Sequence, residues 1–176
     1  MPVNSRINKA GLSTVQKNQL RRALNEKVAI QVAPADITSK ATLGTTLADV
    51  LAGGTGNPYF SFPVKAYKTY VVTAQLIVTH TDNNGSKVGF TGPTAGLLYG
   101  LVRGPLVSSN LALYDGFDDV SSEAAAGGQT ANYAIFNFTY RPTADGYLKA
   151  QWAEQTSHAD TIIMEAGSYV KVEEVA

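Results

Sequence analysis

Along residues 70–79 the side chains alternate strictly. Tyr70, Val72, Ala74, Leu76 and Val78 fall on one side, and Val71, Thr73, Gln75, Ile77 and Thr79 on the other. A period of two with one apolar and one mostly polar side predicts a half-buried β-strand. Val, Ile, Thr and Tyr also suit a pleated surface. The same period recurs at 132–140, where Asn132, Ala134, Phe136, Phe138 and Tyr140 share a side. It recurs again at 147–152, with Leu148, Ala150 and Trp152 together, and near the end, where Val170 and Val172 point inward. Phe60, Phe62 and Val64 alternate around Pro63, which predicts a shorter strand near a sheet edge. Shorter strand-like pieces fall at 28–32, 97–102 and 161–165.

Turn chemistry separates these pieces. Asp82-Asn83-Asn84-Gly85 tolerates positive φ and lets the chain reverse into a strand around 87–91. Residues 141–146 and 156–160 read as further turns, and 47–51 as one helical turn. Many short strands without strand–helix alternation predict an all-β, antiparallel, jelly-roll-like sandwich. Before it, Ser13 and Gln16 form a capping box for a helix over 13–27, with Leu20, Leu24 and Val28 in one narrow stripe. Such a helix is marginal alone and needs a surface to lie on. The expected division is a basic arm with one helix (1–35), a linker and first-strand region (36–56), and a β-sandwich domain (57–176).

Charge sharpens this division. The 176 residues carry 14 basic and 14 acidic side chains, but residues 1–30 hold six basic residues against Glu26 alone, a net of +5. The remainder is −5. Two segments of opposite sign point to different partners, although a basic solvated helix face is the plain alternative. The acidic β-part repels phosphate, so no nucleic-acid partner is expected. The arm lacks the bulky aromatic face of a membrane-surface helix, and no apolar run is long enough to span a bilayer. The first residues have no apolar core of a secretory signal, which predicts synthesis and assembly in a host cytoplasm.

Candidate chemistry is sparse. There is no cysteine, and the two histidines, His80 and His158, have no recognisable nucleophile beside them. Gly167-Ser168-Tyr169 lacks the glycine spacing of a nucleophile elbow. Residues 52–58 have neither the third glycine of a dinucleotide loop nor the Lys of a phosphate loop. Asp115, Asp118, Asp119 and Glu123 are dense enough to hold Ca²⁺, but their spacing is not that of an EF-hand, and a solvated loop is the simpler reading. Tyr59, Tyr67, Tyr99, Tyr114, Tyr133 and Trp152 could form a sugar-binding platform, or could serve as ordinary sheet packing and subunit contacts. Val71 and Ile77 favour contacts, because apolar residues on a nominally exposed face imply a covered one. No enzyme and no cofactor is expected.

Three segments carry a resemblance. Phe60-Ser61-Phe62-Pro63-Val64 followed by Ala66-Tyr67-Lys68-Thr69-Tyr70, then Gly89-Phe90-Thr91-Gly92-Pro93, then Gly146-Tyr147-Leu148 through Gln151-Trp152-Ala153 with Ala166-Gly167-Ser168-Tyr169-Val170, resemble the opening, middle and close of tailed-phage virion structural proteins. These carry a trimeric jelly-roll (C1q/TNF-like) module and include head decoration or cement proteins. The resemblance spans roughly residues 45–175 and is a pattern of turns and core positions. It implies a homotrimer on the head surface of a virion, bound to the major capsid protein. Its docking arm would use Arg6, Lys9, Lys17, Leu20, Arg21, Arg22 and Leu24, with Val71 and Ile77 at the subunit interface. The alternative is a tail or fibre knob that recognises a host surface glycan through the 92–130 loops.

Overall fold

The computed structural model describes residues 27–39, 44–51, 57–80, 86–104, 112–114, 120–121, 132–154 and 161–175. The docking-arm residues and all but the last residue of the expected helix lie outside them. So do the four clustered carboxylates, His158 and the side chain of His80.

Thirteen strands are described. In chain order they are β1 (Val28–Val32), β2 (Ile37–Thr38), β3 (Ala48–Asp49), β4 (Ser61–Val64), β5 (Tyr70–His80), β6 (Ser86–Thr91) and β7 (Ala95–Arg103). β8 (Ala112–Tyr114), β9 (Val120–Ser121), β10 (Asn132–Pro142), β11 (Gly146–Glu154), β12 (Ile162–Met164) and β13 (Tyr169–Glu174) follow. They make two antiparallel sheets. The eight-stranded sheet runs β1-β13-β5-β10-β7-β8, with β12 also on β5 and β2 on β12. The five-stranded sheet runs β3-β11-β6-β9, with β4 also on β11.

The inward sides meet as the alternation predicts. Tyr70, Val72, Ala74, Leu76 and Val78 are buried, as are Ala134, Phe136, Phe138 and Tyr140 beside them. From the other sheet come Val88, Phe90, Leu148, Ala150 and Trp152, also buried. Phe90 on β6 sets its ring edge-on to Phe136 and Phe138 on β10, with centroids 5.1 and 5.2 Å apart. T-shaped pairs of this kind add attraction beyond the area they bury, and here they tie one layer to the other. Tyr140 keeps its hydroxyl satisfied by donating to the Pro93 carbonyl at 2.6 Å, and burial pushes its pKa up to about 12.

Two expectations are corrected. Residues 47–51 do not form a helical turn: β3 pairs with β11 through Ala48 and Asp49, and Val50 is buried in the core. The strand after 82–85 exists as β6, but it pairs with β11 and β9 in the other sheet and not with β5. The reason is burial. β5 and β6 both carry core side chains, and those chains cover each other only when the strands lie in opposed layers. The same step recurs from β6 to β7, from β10 to β11 and from β11 to β12.

Side chains close the seams where ladders stop. Gln31, at the edge of the eight-stranded sheet, donates to the Ser61 carbonyl and accepts from the Ser61 N–H, both at 3.0 Å. That fork joins the edges of the two sheets. Between β12 and β13, the Ser168 hydroxyl accepts from the Ile77 N–H at 3.0 Å. It is buried and bonded to the backbone of β5. In β7, Gly100 lies opposite Phe138, where a Cβ would run into the Asn137 carbonyl and the Phe138 backbone, so glycine is required for close approach.

Replacing Phe136 by Ala removes a ring enclosed by both layers. A loss of about 3–5 kcal/mol in urea unfolding is expected. A loss under about 1 kcal/mol would contradict the packing described.

Candidate functional site: an uncharged sheet face

With the inward sides committed to the core, function falls to the outward ones. On the eight-stranded sheet, the register aligns Val71 of β5 with Thr139 of β10 and Tyr99 of β7. Below them it aligns Thr73 with Asn137 and Leu101, and then Gln75 with Ile135. Ile77 lies opposite Tyr133. Nothing in this central field carries a charge. Charge begins only at its borders: Arg103 and Arg141 stand at opposite ends of the β7–β10 ladder, and the Lys171–Glu173 pair, 2.7 Å apart, lies on β13 beside Thr73 and Val71.

The field is also apolar where it is most open. Tyr99 is 55% exposed, Leu101 50% and Tyr133 40%; outside the field, beyond the charged β13, Ile30 and Val32 on β1 are 59% and 53% exposed. A charge-depleted centre holding Tyr and aliphatic side chains inside a charged border is the anatomy of a protein–protein interface core and rim. Val71 and Ile77 sit half-buried on this face.

The tyrosines do not form one platform. Tyr99 and Tyr133 belong to the uncharged face, while Tyr147 lies on β11 of the other sheet and Tyr67 in the turn before β5. Trp152 is fully buried and is a core residue. The 92–130 segment is not simply loop, because β7 occupies Ala95–Arg103. Tyr99 stands among the candidate aromatic residues of the sequence, but Leu97 and Leu101 do not stand out as surface residues for a plain reason: the run Leu97–Val102 is continuous enough to hide its phase. Only pairing with β10 reveals which residues face out.

Among the described residues, no group of three or more His, Cys, Asp or Glu side chains is placed to hold a metal. No helix among them is long and apolar enough to cross a membrane. Asp145, in the turn before β11, is an organised acidic group of another kind. It accepts from the Ala66 N–H at 2.8 Å and pairs with the Lys65 ammonium at 2.8 Å. The paired turn holds Tyr67 at φ 61°, its N–H on the Pro142 carbonyl.

No protein-family model matches the chain. No curated protein matches it either. Among solved structures, the chain is similar to one in the tripod from the baseplate of bacteriophage Tuc2009, at 11% identity and a TM-score of 0.35. That match covers 86% of this chain and 65% of the other. It is similar to Eiger TNF from S. frugiperda at 9% identity and a TM-score of 0.39, covering 85% and 92%. It is also similar to a protein of infectious bursal disease virus, Gx strain, at 14% identity and 0.33, covering 85% and 36%. This chain thus spans less than two thirds of the tripod and bursal virus chains. At such scores these likenesses carry no argument, and the class rests on the strands themselves: an all-β protein of two opposed antiparallel sheets.

Hydrogen bonding from Lys65, then from the Ala66 N–H, holds the Asp145 carboxyl below its ordinary value of 3.8. The native state therefore binds fewer protons here than the unfolded chain. The stability this adds is complete above pH 3.8 and is lost as pH falls through the lower native pKa. Urea midpoints for the parent and Asp145→Asn should differ at pH 5 and draw together as pH falls below 3.8 through the lowered native pKa. A difference that grows on acidification would contradict this.

Proposed function

We propose that this chain is a non-enzymatic structural protein of a tailed-phage virion, and within the virion a decoration or cement protein of the head. Its sandwich is read as a C1q/TNF-like jelly roll that assembles as a homotrimer. The observation that carries this reading is the uncharged, tyrosine-bearing outward face of the eight-stranded sheet, the part of the surface best suited to burial against another chain. A closed trimer buries such a face symmetrically. The repeated passage of the chain from one sheet to the other supports the jelly-roll reading. The segment resemblance over residues 45–175 supports the virion setting.

Head attachment falls to the N-terminal arm. Arg6, Lys9, Lys17, Arg21 and Arg22 supply its charge, and Leu20 and Leu24 its apolar stripe. The major capsid protein is the proposed partner. A protein that binds only the assembled shell stabilises that shell by mass action.

The test is to quantify the chain against the major capsid protein in purified virions, then to rebind it to heads stripped of it. A copy number that repeats with the capsid lattice is expected. Arg21→Glu with Arg22→Glu takes the arm from +5 to +1. Rebinding should then weaken at least about tenfold at low salt, as expected when steering charges are reversed. A handful of copies per virion would move the protein to the tail and favour the knob alternative.

A further inference from the structure

The outward side of β11 on the five-stranded sheet has a different chemistry. Tyr147, Lys149 and Gln151 alternate there with the buried Leu148, Ala150 and Trp152. Lys149 Nζ lies 2.7 Å from Asp49 Oδ2, and Gln151 Nε2 donates to Asp49 Oδ1 at 3.1 Å. The Asp49 carboxylate is thus held at both oxygens. Lys149 and Asp49 retain only 30% and 23% of their side-chain exposure, so the pair is fixed before any ligand arrives. Next to it opens a shallow depression of about 350 Å³, lined by Asn57, Pro58, Ser61, Tyr147 and Lys149. This volume lies at the small end of ligand sites and suits one or two small rings. Tyr147 opposes Pro63 across the β4–β11 ladder and is 58% exposed.

We propose that this depression binds a neutral saccharide. A sugar ring presents one patch of C–H bonds and a rim of hydroxyls that both donate and accept. The Tyr147 ring offers a flat apolar surface with a polar tip for the first. The Asn57 amide, the Ser61 hydroxyl and the Lys149 ammonium offer partners for the second, and Lys149, already held on Asp49, needs no further ordering, which lowers the entropic cost of binding. Charge decides the class. Lys149 is offset by Asp49, and Lys65, just past the neighbouring strand β4, is offset by Asp145 at 2.8 Å. No net positive field remains for a phosphate or uronate, and no net negative one for a cation. The site lies on the opposite sheet from the uncharged face, so it goes beyond the assembly reading and neither depends on the other.

The experiment is saturation-transfer NMR and calorimetric titration of the full chain. The probes are neutral di- and trisaccharides of glucose, galactose, rhamnose and N-acetylglucosamine, beside uronate- and sialate-bearing oligosaccharides of the same lengths. At least one neutral probe should bind. Tyr147→Ala should weaken it about tenfold, the loss expected for one aromatic stacking partner. Lys149→Met should weaken it as well without touching the Tyr147–Pro63 pair. Thermal midpoints identify any variant that fails to fold, and Lys149→Met then decides. No binding by any neutral probe at millimolar concentration overturns the proposal. So does binding of acidic probes alone, or binding unaltered in the folded variants.

Discussion

Phe90 meets Phe136 and Phe138 edge-on at 5.1 and 5.2 Å, and through that contact the two sheets share one core. Each sheet alone would leave an apolar side facing water. Opposed, they bury Trp152, Tyr140 and Leu148 from above and below, with no disulfide or metal needed to hold the layers together. The requirement also dictates the route of the chain. The core residues of β5, β6 and β7 cover one another from opposite layers, and these three strands step between the sheets instead of pairing in order. Gln31 at the edge and Ser168 at the β12–β13 junction then supply hydrogen bonds where no strand remains to do so.

Once the inner sides are used, the outer sides are free to differ, and they do. The eight-stranded sheet shows an uncharged field of Thr, Asn, Gln, Tyr and aliphatic side chains with charge only at its margins. The five-stranded sheet shows ion pairs, Lys149 with Asp49 and Lys65 with Asp145, around an exposed tyrosine. A side without charge loses little by being dehydrated against another protein, whereas a side with prearranged polar groups is suited to a polar ligand. The proposed assembly and saccharide roles follow this division.

Alternation reports the phase of a strand, and phase was legible wherever polar and apolar residues took strict turns. The inward residues of β5, β10 and β11 follow directly from it, as does the edge position of β4 from Pro63. Phase says nothing about the neighbour a strand will pair with, so the sheet change after 82–85 could not be read. Nor could β3 be separated from a helical turn, since two residues of strand leave no period. The outward face was half visible: Val71 and Ile77 stand out against threonines. Leu97 and Leu101 do not, because Leu98, Gly100 and Val102 blur the pattern around them. The depression beside Tyr147 was not visible at all, because Asp49, Asn57, Tyr147 and Lys149 come together only through the pairing of β3 and β4 with one strand.

The central claim is that the outward face of the eight-stranded sheet is buried between copies of this chain. Sedimentation equilibrium of the full chain, beside an Asn137→Lys variant that sets a charge between Thr73 and Leu101 in the middle of that face, tests it most directly. The account predicts a mass of three chains for the parent, and a single chain for the variant with its β-sheet circular dichroism unchanged. A monomeric parent, or a variant that assembles as the parent does, would contradict it.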